Sequence, residues 1–271
     1  MTSRENPETK MGSAASPPRA DVRLRQICLV APALEPAVGD LAAILGLEVC
    51  YRDPNVARYG LANALLPVDS TLLEVVAPTE EGTAAGRFLA KTGGHGGYMA
   101  IFSCRDPAER KLNAARFGVR TAHEIDRPPY HGVQLHPRDC RGAFIEFNTT
   151  TGSDNILGPY PPAGPDWTRA IRRDVTRRLA GVEMQSPDPA GLARHWGNLT
   201  GIAPRPTPDG AAEIVLVNAV IRFRPGPVEA MTALAFEVND AAAILAAARQ
   251  RGYTVDGDAF TIAGVDIWLD G

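Results

Sequence analysis

The chain lacks most of the features that mark secreted, membrane or nucleic-acid-binding proteins. Its 271 residues include only four cysteines, Cys28, Cys50, Cys104 and Cys140, none in a CxxC spacing. Neither a disulfide framework nor a zinc knot is indicated, and free thiols suit a reducing compartment, so the expected location is cytoplasmic. No apolar run approaches the length of a membrane span. A net charge of −3 gives neither nucleic acid nor an anionic membrane a reason to bind. No Ser-His-Asp order or nucleophile elbow is present, which argues against covalent hydrolysis. Residues 1–21 are polar and rich in Ser and Pro, without the apolar core of a secretion signal, and are expected to form a disordered tail.

What remains is ordinary globular composition, 45% hydrophobic and 22% charged, over a length sufficient for two domains. Four times the chain runs strand, polar cap, amphipathic helix, glycine, strand. The first strands are read at residues 24–31, 98–104, 182–185 and 233–238. The helices close at Gly46, Gly118, Gly201 and Gly252, where a left-handed residue is needed. Asp106-Pro107 and Asp188-Pro189 are N-cap pairs. Two or three short strands follow each helix. The expected fold class is α+β, with four βαβββ modules paired into two domains, residues 22–150 and 178–271. Between them residues 151–177 read as a linker, rich in Pro and Gly, that ends in a short basic helix over 167–178. An insertion at 79–94 carries one helical turn around Arg87-Phe88-Leu89.

Residues 132–148 read as two strands joined by a tight polar turn, His136-Pro137-Arg138-Asp139. In the second strand Ala143, Ile145 and Phe147 share one face, and Phe144, Glu146 and Asn148 the other. A carboxylate in such a strand is expensive to desolvate, so Glu146 is a rim residue or one wall of a site. Twenty positions separate Gln26 from Gly46, and twenty-eight separate Gly46 from Glu74. The same offsets around Gly118 give Tyr98 and Glu146, whereas counting back from Asp106 gives Met99 in place of Tyr98. In the third and fourth units the first offset falls on Gly181 and Thr232, and the second on Glu229 in the third. The polar constellation therefore belongs to the N-terminal half.

This pattern resembles the vicinal oxygen chelate superfamily, which includes glyoxalase I, methylmalonyl-CoA epimerase, the extradiol dioxygenases and the bleomycin and fosfomycin resistance proteins. The resemblance is carried by the βαβββ repeat, LRQICLVAPAL at the start, LLEVVAP closing the first unit and HPRDCRGAFIEF closing the second. It implies the glyoxalase/bleomycin resistance/dihydroxybiphenyl dioxygenase fold, with Gln26, Glu74 and Glu146 as metal ligands. Tyr98 departs from the histidine usual at the fourth position. The ligand set does not distinguish Mg, Mn, Zn, Ni or Fe. Such an ion would polarise a carbonyl and stabilise an enolate while a glutamate moves the α-proton. Extradiol chemistry is set aside, because the C-terminal pair offers only His195, on a helix.

Two functions are weighed. One is a glyoxalase-like lyase or isomerase acting on a small carbonyl compound or thioester, with Glu74 and Glu146 catalytic. The other is a metal-free binding protein of the antibiotic-resistance type, which Tyr98 and Met99 favour as contact surface. Candidate substrate contacts are Tyr98, Asn63, Tyr59, His95 in Gly93-Gly94-His95-Gly96-Gly97, and His136, which is equally explained as a turn residue. Arg58 lies with Tyr59 near the cleft, and His131 beside Tyr130 borders it or lies in a plain loop. His123 is read as structural. The expected partner is a small molecule, and the C-terminal half covers the first half or forms a homodimer.

Overall fold

A computed structural model describes residues 21–271; apart from Asp21, the expected N-terminal tail lies outside the described residues. The first module opens with β1 (Arg23–Val30), buried along most of its length, and continues into α1 (Leu34–Leu45). Val38, Leu41, Ile44 and Leu45 recur at helical spacing and form the buried face of α1. The helix stops at Gly46, whose φ of +64° is the left-handed conformation that glycine adopts cheaply. The next strand shrinks to a single bridge, Tyr51–Leu65, followed by a 3-10 turn (Pro54–Tyr59) capped by Asp53. The hairpin of β2 (Leu61–Val68) and β3 (Thr71–Pro78) then returns, with β3 parallel to β1.

The insertion after β3 is a full helix, α2 (Ala84–Thr92), rather than one turn. The hydroxyl of Thr83 accepts from the Gly86 amide to start it. The second module comprises β4 (Gly97–Ser103), α3 (Pro107–Arg116), β5 (Thr121–Arg127), β6 (Tyr130–Leu135), the short α4 (Pro137–Cys140) and β7 (Phe144–Thr150). The expected polar turn at His136–Asp139 is thus one turn of helix, and the His136 side chain caps it by accepting from the Arg138 amide.

Between the halves, residues 151–175 carry two 3-10 turns, Pro161–Ala163 and Trp167–Ala170. The basic helix expected over 167–178 is not formed. Ile171 is extended, and Arg172 and Arg173 reach out to Glu48 and Asp69. The third module is β8 (Thr176–Ser186), α5 (Pro189–Thr200), β9 (Arg205–Pro206), β10 (Ala212–Val215) and β11 (Val220–Pro225). The fourth is β12 (Ala230–Val238), α6 (Ala241–Gln250), β13 (Val255–Asp256), β14 (Ala259–Ile262) and β15 (Val265–Asp270). The architecture is α+β, four βαβββ modules paired two by two.

In every module the first strand lies parallel to the last: β1 with β3, β4 with β7, β8 with β11 and β12 with β15. Antiparallel pairing of β1 with β4, and of β8 with β12, joins modules within each half. The two halves meet at the Met231–Gly97 bridge, giving one 15-stranded sheet. A Cβ on Gly97 would lie 2.2 Å from the Met231 carbonyl oxygen, so this approach requires glycine. No helix among the described residues is long and apolar enough to cross a membrane.

One irregularity recurs in both halves. Opposite β4, Leu24 pairs with Phe102 and Gln26 with Ile101, which leaves Arg25 as an extra residue. Opposite β12, Leu179 pairs with Phe236 and Gly181 with Ala235, which leaves Ala180 extra. These matched bulges re-aim the side chains on the sheet face away from the helices.

Candidate functional site

On β1, Ile27 and Leu29 enter the main core while Gln26 and Cys28 take the opposite face. Parallel register sets Cys28 beside Glu74 of β3; the corresponding register in the second module sets Ile101 beside Glu146 of β7. Both glutamates line a single cavity of about 330 Å³, and both are buried, Glu74 at 9% exposure and Glu146 at 3%.

All four carboxylate oxygens are met by neutral donors. Gln26 Nε2 donates to Glu74 Oε2 at 2.8 Å and Asn63 Nδ2 to Oε1 at 2.6 Å. Gln134 Nε2 donates to Glu146 Oε2 at 2.8 Å. The Tyr130 hydroxyl donates to Glu146 Oε1, which Asn148 Nδ2 also approaches at 3.4 Å. Burial raises the pKa of Glu74; the amides of Asn63 and Gln26 oppose that shift, and the charge of Glu146 adds to it. Burial and the charge of Glu146 push Tyr130 well above the ordinary phenol range, so it acts as a neutral donor.

The segment between the halves does more than connect them. Its Tyr160 is buried against the cleft, and its hydroxyl donates to Gln26 Oε1 at 2.9 Å. Tyr160 packs edge to face with Tyr130, ring centroids 6.1 Å apart, in a small core with Leu65, Leu72, Ala163 and Trp167. Arg25, the bulge residue, is 1% exposed, with its guanidinium 4.3 Å from the Tyr160 ring and 4.8 Å from that of Trp167. Its Nη1 donates to the carbonyls of Ser70 and Ile156. Burial lowers its pKa to about 10, which leaves it charged at neutral pH. The cavity is rimmed by Arg58 and Tyr59 on one side and by His123, Ile125 and Arg127 of β5 on the other.

Of the residues singled out in the sequence, Gln26, Arg58, Tyr59, Glu74, Met99 and Glu146 line this cavity. Asn63 lies behind it, bound to Glu74 through its nitrogen and to the Asp53 amide through its oxygen. Tyr98 is not part of the lining; it is wedged between Phe88 and Phe144 at centroid distances of 4.9 and 5.1 Å. Met99 occupies the position equivalent to Gln26, since Gln26 lies two residues before the partner of Glu74 and Met99 two before the partner of Glu146. The glycine count fails by one because α3 has 10 residues against 12 in α1, and Phe117, its cap, restores only one of the two before Gly118. His95 is exposed, its Nδ1 3.4 Å from the Gly264 carbonyl, and His136 caps α4 beside Arg120; neither lines the cavity.

Tyr160, Gln134 and Asn148 have no role in the sequence-based expectation, which takes His123 as structural although it lines the rim. Gln134 was accessible through strand alternation, since it stands opposite Glu146 across β6 and β7.

The metal site expected from Gln26, Glu74 and Glu146 does not fit these surroundings. Its fourth position is the thioether of Met99, a soft group in an otherwise hard oxygen set. The amides of Gln26, Asn63 and Gln134 and the Tyr130 hydroxyl turn their positive ends to the carboxylates, where a cation would stand. Among the described residues no group of three or more His, Cys, Asp or Glu side chains is arranged to hold a metal ion.

No protein-family profile matches the chain, and no curated protein matches its sequence. Solved structures do match its shape. A hypothetical protein from Staphylococcus aureus is 12% identical over 92% of this chain and 98% of its own, with a TM-score of 0.61. A mutant of 4-hydroxymandelate synthase from Streptomyces coelicolor is 15% identical over 88% of this chain and 76% of its own, with a TM-score of 0.62. A methylmalonyl-CoA epimerase in complex with methylmalonyl-CoA is 26% identical over 51% of this chain and 99% of its own, with a TM-score of 0.43.

Proposed function

The chain has the fold of the vicinal oxygen chelate superfamily, and from that premise we propose that its N-terminal cleft performs metal-independent proton transfer on a small carbonyl compound, as an isomerase or lyase. The observation that carries this reading is the pair of buried glutamates at matching module positions, lining one cavity and held by neutral donors. Glu74, whose pKa burial raises, is assigned the role of proton donor. Glu146 takes the proton from the carbon next to the substrate carbonyl, and electron density moves onto the carbonyl oxygen. The Glu74 proton then goes to the opposite face of that carbon, and the two carboxyl groups have exchanged roles. Tyr130 and Gln134 hold Glu146 in position through these steps. Arg58 and Arg127 at the rim suit a substrate that carries an anionic group. The cavity lies at the small end of the range for ligand pockets, which favours a compact substrate.

The test is solvent exchange. Short-chain β-dicarbonyl and α-hydroxycarbonyl acids are incubated with the protein in D2O, and deuterium at the activated carbon is followed by NMR. Exchange lost in Glu74→Gln and in Glu146→Gln supports the reading; no exchange with any member of the panel refutes it. A second reading, metal-free sequestration, is favoured by the apolar wall of Met99, Ile101 and Ile125. It predicts saturable binding of apolar ligands in the same cleft without exchange.

A further inference from the structure

The C-terminal half has a cleft of its own, at the place that corresponds to the glutamate cavity. It is larger, about 630 Å³, and is lined by strands β8, β11, β12 and β15. Register gives the equivalences. Gly181 takes the place of Gln26, and because Cys28 pairs with Glu74 as Glu183 pairs with Arg222, Arg222 takes the place of Glu74. Across the matched bulges Ala235 takes the place of Ile101, and its partner Trp268 takes the place of Glu146. The acid pair of one half has become a cation and an aromatic ring in the other.

The floor between them is bare. It is formed by Ala180, Gly181, Ala233 and Ala235, and a Cβ on Gly181 would lie 2.9 Å from the Val220 carbonyl, so close strand approach keeps it bare. Where Arg25 fills the bulge of the first cleft under Tyr160, the equivalent Ala180 leaves space. The charges along the walls are mostly spent on one another. Arg178 pairs with Glu237, and Arg224 pairs with Glu183 at 2.7 Å and Asp209 at 3.3 Å. Arg222 has no ion pair among the described residues. Trp268 is 46% exposed, an unusual position for a large indole on a concave surface. Asp270, two residues along the same strand, keeps an anionic group away from the Trp268 end.

We propose that this second cleft is a binding site for a small aromatic carboxylate, with its ring on Trp268 and its carboxylate on Arg222. A guanidinium offers paired donors that match a carboxylate, and an indole face takes a flat ring with little ordering of either side. The small floor residues let such a ring lie close to the sheet. This site shares no residue with the glutamate cavity and does not depend on the reaction assigned there.

The experiment is calorimetric titration of the full chain with 2-naphthoate, and with its neutral amide 2-naphthamide. Saturable binding is expected, with the amide about tenfold weaker and Arg222→Gln weakening 2-naphthoate about tenfold, as loss of a charge-assisted hydrogen bond does. Trp268→Leu should reduce affinity by a similar factor, and Glu146→Gln should leave it unchanged. Both substituted side chains are exposed, so the variants keep the fold. Absence of saturable binding overturns the proposal. So does binding that Arg222→Gln leaves unaltered, or binding that Glu146→Gln abolishes, which would move the ligand to the first cleft.

Discussion

Gln26 and Tyr160, from strand β1 and from the segment between the halves, are joined by a 2.9 Å hydrogen bond into the Gln26 side-chain oxygen. With that oxygen occupied, the amide nitrogen faces Glu74 Oε2 at 2.8 Å. Reversing the amide would set its oxygen against Glu74 Oε2, two acceptors face to face. Tyr160→Phe is therefore expected to free the amide and loosen Glu74. Loss of one buried hydrogen bond destabilises by about 1 kcal/mol, read as a fall in urea midpoint. Deuterium exchange should fall more than stability does. Unchanged exchange in Tyr160→Phe would remove Tyr160 from the positioning of the acid pair.

The same amide orientation bears on metals. Excess Mn2+ or Zn2+ should leave the wild-type thermal midpoint unchanged, and chelator should leave exchange unchanged, because a ligand bound only by the folded state would raise that midpoint. Stoichiometric metal in protein purified without chelator, lost in Glu74→Gln, would contradict this.

Much of this architecture was legible in the sequence, because its signals are local. Asp106, Asp188 and Asp240 each cap a helix with their side chains, and Gly46 and Gly201 end helices in left-handed conformations. The same punctuation misled by one residue wherever a helix closed one step before its glycine. Phe117 and Arg251 are those caps, but α3 and α6 have 10 residues against 12 in α1 and α5, so the offsets fell on Tyr98 and Thr232, one residue short of Met99 and Ala233. Tyr160 was illegible for a different reason. It stands in a Pro- and Gly-rich stretch without periodicity, and only the folded chain brings it 134 residues back to Gln26.

The pKa of Glu74 yields a pH dependence. It is raised above the ordinary value of 4.5, so the folded state binds this proton more tightly than the unfolded chain. The contribution is fully present below 4.5 and is lost as pH rises through the raised value. Glu74→Gln removes that slope. Gln offers one acceptor where Gln26 and Asn63 both donate, which costs a fixed amount at every pH. The difference in thermal midpoint between variant and wild type should therefore shift in favour of the variant as pH rises from 4.5 towards neutrality. A difference that stays constant over that range would show that Glu74 is not desolvated in solution.

Trp196 on α5 ties the halves together on the helix side. Its indole nitrogen donates to the carbonyls of Cys140 and Arg141 at 3.1 and 3.0 Å, and its ring meets Phe102 and Phe223 edge to face. Trp196→Ala leaves a large cavity and two carbonyls without that donor, a change that typically costs about 3–5 kcal/mol. Chemical denaturation should show that loss as a lower midpoint. A loss under about 1 kcal/mol would mean that the halves are held elsewhere.

Arg25 offers the complementary test on the cleft side. Its guanidinium is buried without an ion pair among the described residues, and its Nε and Nη2 have no hydrogen-bond partner there. What compensates the charge is two carbonyls and two aromatic faces, and both faces belong to the segment between the halves. Cation–π contacts of a desolvated guanidinium are worth about 2 kcal/mol each, so the segment is seated on the bulge by the charge itself. Arg25→Met keeps most of the volume and removes the charge, whereas Arg25→Lys keeps a charge but loses the planar group. If seating depends on the charge, both variants should be cleaved faster by protease within residues 151–166, with Arg25→Lys the milder. If it depends on volume alone, Arg25→Met should resist cleavage as the wild type does. That result would reduce Arg25 to a spacer beneath Tyr160.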